Sequence, residues 1–453
     1  LFPAVAEPGA YRLFRGIARF LVALFYRRVE VIGLERIPAS GPLLAAANHQ
    51  QGLMDALLLA ATFPRPLRFI AKAPLFRYPL IGQLARLSGA IPVHRRQDER
   101  GGAVGNEAMF SAARRALEAD EALLIFPEGA SQPEPTIMPL RTGAARLLLA
   151  DGLGARATLL PIGLMLHEPG TFRVGTALVV IGEPVPIADL DATGGSEEAV
   201  RPLTTRLGAA LQRLIVEARD RHTLDLVLAA ESIWREEAPD AARDPLARTT
   251  WRRRAARAHA YLSTVEPLQM ATLRRRLERY VKDLELAGLT DRDLSQGYPL
   301  RAVLRYALRE GLALVLGLPL ALCGLVNHAL PYGVTALVVR ALKPEADVEA
   351  TYKVAVGLVL YPVCWALEGW VIWWMGGGSV LLVFLLSLLP TGFFALSWTT
   401  RVDQVRRDAR GLIAVLIDRD LRGHLLARRR EIMAEFQALV QLVPEPVLMG
   451  SAS

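Results

Sequence analysis

His49 and Asp55, in the run Ala47-Asn48-His49-Gln50-Gln51-Gly52-Leu53-Met54-Asp55, are the residue types that general-base catalysis needs. One imidazole nitrogen binds a carboxylate, which fixes the tautomer and stabilises the imidazolium. The other nitrogen then takes a proton from a hydroxyl. An Asp that caps a helix beside a His in a structural hydrogen bond gives the same pair, so the run alone leaves both roles open. A second carboxylate, Glu128, stands in Phe126-Pro127-Glu128-Gly129-Ala130-Ser131. There Pro127 fixes the backbone and Gly129 lets a ligand approach the main chain, although a plain strand-ending turn has the same composition. A third run, Gly89-Ala90-Ile91-Pro92-Val93-His94-Arg95-Arg96, carries two guanidinium groups to the end of a short strand. Arginine forks match phosphate oxygens; solvated surface arginines are the alternative.

The elements that must position these groups follow from residues 43 to 190, where short apolar runs alternate with helical patterns, the signature of an α/β domain. Strands are expected at Leu43 to Ala47, Leu67 to Ala71, Ala90 to Val93, Ala122 to Phe126, Thr158 to Leu164 and Phe172 to Gly182, and ahead of them Val29 to Gly33 reads as a short strand ending in a turn. Helices are expected at Asp55 to Ala61, Met109 to Ala119 and Gly143 to Ala150. His49 then ends a strand and Asp55 opens the next helix. The polar stretch Ala192 to Glu198, with paired glycines, marks a domain boundary.

In order, spacing and flanking strands, the three runs resemble the glycerophospholipid acyltransferase family, which acylates glycerol-3-phosphate, dihydroxyacetone phosphate or lysophosphatidate. The resemblance covers about residues 43 to 186. It implies a mixed sheet flanked by helices, with His49 as base, Asp55 as its partner, and Arg95, Arg96, Glu128, Gly129 and Ser131 around the acceptor phosphate and glycerol. A fourth family segment, matched by Leu160-Pro161-Ile162-Gly163, implies that Pro161 borders the acyl site. The implied donor is acyl-CoA or an acyl carrier protein, with no metal, no cofactor and no covalent enzyme intermediate. Two departures stand out. Five residues separate His49 from Asp55 where four are commonest, and Ala130-Ser131 replaces the Thr-Arg common in lysophosphatidate acyltransferases. The second departure is closer to the glycerol-3-phosphate or dihydroxyacetone-phosphate branch, which is the expected function. Lysophosphatidate or another lysophospholipid is the alternative acceptor, and a lipid-binding membrane scaffold is the non-enzymatic reading.

Beyond this domain the chain changes character. Of its 453 residues 52% are hydrophobic, above the roughly 45–50% of soluble domains, which excludes a disordered or collagen-like chain. A net charge of +8 points to an anionic partner: nucleic acid, lipid headgroups or a phosphorylated substrate. Cys323 and Cys364, the two cysteines, sit in apolar runs and read as core hydrophobes. Residues 1–28 hold an amphipathic helix with a basic face, suited equally to packing on a core and to a membrane surface. Residues 29–191 are expected to form the acyltransferase domain that the resemblance implies, and 192–309 a helical connector. The connector's Arg252 to Arg254 and Arg274 to Arg276 read as solvated helix faces, with no interleaved aromatics for nucleic-acid stacking.

Residues 310–400 are expected to form an α-helical transmembrane region. Gly311 to Val339 holds no formally charged side chain, and Val354 to Thr400 holds only Glu368, against the ~20 apolar residues that a span needs. A turn is expected at Gly376-Gly377-Gly378, and residues 401–453 read as an amphipathic helical tail. These uncharged lengths are read as those of an integral membrane protein, expected in a bacterial inner membrane, and the arginines outside both ends predict cytoplasmic flanks, with the catalytic domain facing the cytoplasm.

Overall fold

Short apolar runs, separated by helices, build the sheet that carries the site. In the computed structural model, which describes residues 8–94, 102–167, 175–191, 197–295, 300–345, 348–417 and 420–449, seven strands form it. They are β1 (Tyr26–Ile32), β2 (Leu43–Ala47), β3 (Leu67–Lys72), β4 (Ile91–Val93), β5 (Ala122–Ile125), β6 (Thr158–His167) and β7 (Gly175–Ile181). Their order is β1-β7-β6-β2-β5-β3-β4. Five neighbours, β6, β2, β5, β3 and β4, run parallel; β7 is antiparallel to β6, and β1 is parallel to β7. The sheet is therefore mixed.

Successive residues of a strand face opposite sides. Leu43, Ala45 and Ala47 accordingly enter one core with Leu160, Ile162 and Leu164, while Leu44 and Ala46 enter a second with Leu123 and Leu159. Helices α1 (Gly9–Phe25) and α2 (Gly52–Thr62) cover the first face, and α3 (Pro79–Leu87) adds Leu84 to it. The second is covered by α4 (Gly102–Glu118) and α5 (Gly143–Leu149). A short α6 (Ala188–Asp191) precedes α7 (Glu197–Gln212), whose Leu203, Leu207 and Leu211 also lie in the second core.

The amphipathic helix at the start is α1, and its apolar face is spent on the sheet: Tyr11, Phe14, Ala18, Leu21 and Phe25 are all buried there. Packing on a core is thus one role this helix fills. It ends earlier than its apolar spacing suggests, because Tyr26 already pairs with Gly175 in β1.

By contacts the chain divides into two units. The first comprises Leu1–Glu217 with Val339–Leu358, and the second Ala218–Val338 with Val359–Ser453. α7, assigned by sequence to the connector, thus belongs with the sheet. The second unit holds α8 (Arg221–Glu237), α9 (Pro245–Val265), α10 (Pro267–Ala287) and α11 (Asp291–Ser295), then most of α12 (Leu300–Leu342) and α13 (Glu349–Ile417), and finally α14 (Leu421–Val440) and α15 (Glu445–Met449). Buried Glu231 pairs with Arg235 at 2.9 Å and Arg252 at 2.6 Å, and Arg276 meets Glu435 at 3.1 Å. Some of the arginines in the basic runs are therefore held in ion pairs within the unit.

Two helical stretches, Val303–Leu342 and Glu349–Ala414, are long and apolar enough to cross a bilayer. α12 runs on past Pro319 and Pro331. α13 is two helices joined at Gly377, whose φ of 74° and ψ of −173° are non-helical, so the turn falls within the glycine triplet. Much of the apolar surface of these helices is not spent on a protein core: Leu316, Val326, Leu330, Val363, Leu367, Trp374 and Leu386 are all exposed.

Candidate active site

The site forms where parallel strands end, the usual place for ligands in α/β sheets. β2 and β5 are neighbours in register, with Ala46 opposite Ile125, so the residues that follow them, His49 and Glu128, meet. His49 Nδ1 lies 2.9 Å from Asp55 Oδ2. The same carboxylate oxygen accepts the Gln50 and Gln51 backbone N–H groups, each at 2.7 Å. The loop between strand and helix therefore wraps around Asp55, and five intervening residues suffice for the contact. Asp55 is fully buried, while the His49 side chain keeps 15% of its surface open. The imidazole stacks on Phe126, with ring centroids 3.9 Å apart and planes 13° from parallel.

Glu128 ties the two loops together. Its Oε1 accepts the His49 backbone N–H at 2.8 Å, and its Oε2 accepts the Met138 N–H at 2.9 Å. Burial pushes this carboxyl above the ordinary glutamate range, against the lowering effect of those two amide donors. Gln132 N–H donates to the His49 carbonyl at 3.1 Å, which brings the chain just after Ser131 against the same residue. Gly129 has a φ of +76°, in the left-handed region that favours glycine. A Cβ there would run into the Arg141 side chain, whose backbone N–H is anchored on the Pro127 carbonyl at 2.8 Å.

The remaining expected residues fall differently. Arg95 and Arg96 lie outside the described residues, just past β4. Pro161 is buried within β6, opposite Ala46 in the sheet register.

Several contributors are not singled out by residue type. Asn48 is buried and clamps β6 by donating to the Leu164 carbonyl at 3.0 Å and accepting its N–H at 2.6 Å. Gln50 accepts the Leu166 N–H at 3.3 Å, and Tyr26 donates to Gln51 at 3.3 Å. Burial, with a smaller contribution from the Asp55 charge, holds the Tyr26 phenol far above its usual range, so it remains a neutral donor. The available signal is the unbroken polar run Asn48-His49-Gln50-Gln51 between an apolar strand and an apolar helix: buried amides need partners. Among the described residues no cluster of three His, Cys, Asp or Glu side chains converges as a metal site requires.

Comparison with known proteins gives this geometry a context. The Acyltransferase family matches residues 28–165. An uncharacterized acyltransferase of Schizosaccharomyces pombe is 23% identical over 310 residues, 48% of this chain and 46% of that one. A 1-acyl-sn-glycerol-3-phosphate acyltransferase of Limnanthes alba is 28% identical over 171 residues, 38% of this chain and 56% of that one. The human 1-acyl-sn-glycerol-3-phosphate acyltransferase alpha is 28% identical over 173 residues, 37% of this chain and 58% of that one. The chain thus spans about half the length of these relatives. Among solved structures, the 1-acyl-sn-glycerophosphate acyltransferase PlsC of Thermotoga maritima is similar at 23% identity and a TM-score of 0.34, over 45% of this chain and 79% of that one. The matched segment runs from within β1 into β6 and contains the His49, Asp55 and Glu128 loops, and it is over this segment that the chain is similar to the Acyltransferase family and to relatives named 1-acyl-sn-glycerol-3-phosphate acyltransferase.

Proposed function

We propose that the protein transfers an acyl group from a thioester donor, acyl-CoA or acyl carrier protein, to a hydroxyl of a glycerol-phosphate acceptor. The observation that carries this reading is the 2.9 Å contact between His49 Nδ1 and a buried Asp55 oxygen already holding two amide hydrogens. That oxygen is an acceptor, so Nδ1 bears the proton and Nε2 presents its lone pair. In the reaction Nε2 takes the acceptor's hydroxyl proton, the oxygen attacks the thioester carbonyl carbon, the C–S bond breaks, and the imidazolium returns the proton to the departing thiolate. Phe126 against the ring and Glu128 on the His49 main chain support a fixed imidazole. Arg95 and Arg96 are assigned to the acceptor phosphate, and Pro161 to the border of the acyl site.

Two acceptors have specific support. The relatives from Limnanthes alba and human are named for 1-acyl-sn-glycerol-3-phosphate. Ala130-Ser131 instead favours glycerol-3-phosphate or dihydroxyacetone phosphate. A bilayer setting is supported by two helical stretches of sufficient length, many of whose large apolar side chains are exposed. Thiol release by the purified protein with acyl-CoA and each of these acceptors in turn is the test. His49→Ala is expected to lose about 10²–10⁴ in turnover with the preferred acceptor. Near-normal turnover by a folded His49→Ala protein would overturn the reading.

A further inference from the structure

The helix that carries Asp55 begins without a cap of its own. Gln51 precedes α2 and makes no side-chain hydrogen bond to it, although the first amides of a helix have no partner inside the helix. Met54 N–H turns back to the Gln51 carbonyl at 2.9 Å. Leu53 N–H, two residues before Asp55, donates instead to Thr351 Oγ1 at 3.3 Å, a hydroxyl supplied from 298 residues further along the chain.

This contact rests on a packed surface. Thr351 lies in the first turn of α13, in the stretch Val339–Leu358 that belongs to the acyltransferase unit. Ala350 and Val354 are buried in the core that holds Met54, Leu57 and Leu58, and Leu358 packs against it. The spacing of 350, 354 and 358 is that of one helix face, which sets the hydroxyl of 351 beside the start of α2.

We infer that Thr351 is a positioning residue for the acyl-transfer reaction: as a remote cap on the Asp55 helix, it holds the carboxylate where His49 needs it. The inference rests on the His49–Asp55 reading given above. It means that the segment 28–165 lacks part of its own active-site support, which a carboxy-terminal helix supplies. A capping oxygen is worth enough that its loss shifts the local equilibrium by about 2- to 30-fold.

The test uses the full chain in detergent or vesicles, with acyl-CoA and the preferred acceptor. Thr351→Val removes the acceptor oxygen while keeping the shape, and Thr351→Ser keeps the oxygen. Thr351→Val is expected to lower kcat by about 2- to 30-fold, with the KM of donor and acceptor unchanged and the melting temperature lowered by no more than roughly a few degrees. Thr351→Ser is expected to restore kcat. Hydrogen exchange at the Leu53 amide, read from peptides covering residues 50–58, is expected to quicken in Thr351→Val and not in Thr351→Ser. Parental kcat and unchanged Leu53 exchange in Thr351→Val would overturn the inference, as would a kcat loss that Ser fails to restore. His49→Ala runs alongside. If it stays active the base assignment fails, whereas the exchange measurement still decides whether Thr351 caps α2.

Discussion

Replacing Asp55 with Asn separates the charge of this residue from its geometry. Asp55 Oδ2 is held by the Gln50 and Gln51 amides at 2.7 Å each, so an Asn is expected to place its carbonyl oxygen there and keep both bonds. That oxygen still accepts Nδ1–H, so the imidazole keeps its tautomer. What disappears, in the proposed mechanism, is the attraction between carboxylate and imidazolium as the proton is taken. With charge centres about 4 Å apart and an effective dielectric near 20, that attraction is about 4 kcal/mol, or roughly a thousandfold in rate. The Asn NH2 meanwhile enters the position of Asp55 Oδ1, a buried oxygen with no hydrogen-bond partner, at a cost of about 1–3 kcal/mol in stability. Steady-state thiol release should therefore show kcat down by roughly 10³ with the KM of both substrates nearly unchanged, and thermal unfolding should show a folded protein. A folded Asp55→Asn enzyme with kcat within about tenfold of the parent would refute the electrostatic argument.

Glu128→Gln must turn an NH2 group toward one of the two amides that the carboxylate now accepts, so kcat should fall by about tenfold or more as the His49 loop loosens. The Glu128 carboxyl is raised by burial, so the native state binds its proton more tightly than the unfolded chain does. The parent should therefore lose stability relative to Glu128→Gln as pH rises from the ordinary glutamate value of 4.5 through the raised one, and thermal unfolding against pH reads this. Gly129→Ala, at a φ of +76°, should cost about 1–2 kcal/mol from the left-handed backbone and more from contact with Arg141; adding Arg141→Ala should relieve only the second part, and full recovery would exclude backbone strain. For the membrane arm, Gln441→Cys in a background lacking Cys323 and Cys364 should resist an impermeant thiol reagent in intact cells and label after permeabilisation, whereas labelling of intact cells would give an odd number of crossings.

How far the fold is legible depends on whether an element's reason for existing lies within it. β2 is the run Leu43–Ala47 expected from its apolar stretch, because a central strand buried on both faces declares itself by composition alone. The start of β1 is the counterexample, although Val29 to Ile32 are strand as their apolar pattern suggests. Helical spacing continues to Arg28, yet the chain turns to strand at Tyr26, since β7 offers a parallel partner whose sequence lies 149 residues away. α3 is too short to announce itself between two strands, although Leu84 packs on the core. In α7 the four-residue step from Leu203 to Leu207 to Leu211 is visible, but the surface it covers is not, so the expected boundary falls before it.

The same distinction separates the parts of the site. His49 and Asp55 share one short loop, so their meeting needs only a strand end and a helix start, both written locally. Glu128 stands out for its carboxylate, but its two amide bonds depend on β5 lying beside β2, a fact of sheet order that no spacing within either run contains. Asn48 is a stronger case, since its clamp on Leu164 joins residues 116 apart and depends on β6 flanking β2 on the other side. Thr351 is the extreme, a lone threonine at the start of an apolar helix with nothing nearby to distinguish it. The groups proposed to react are thus legible because their chemistry selects residue types, whereas the groups that hold them in place are ordinary amides and hydroxyls. Only the fold, by deciding which distant backbone N–H each one meets, gives those groups a role.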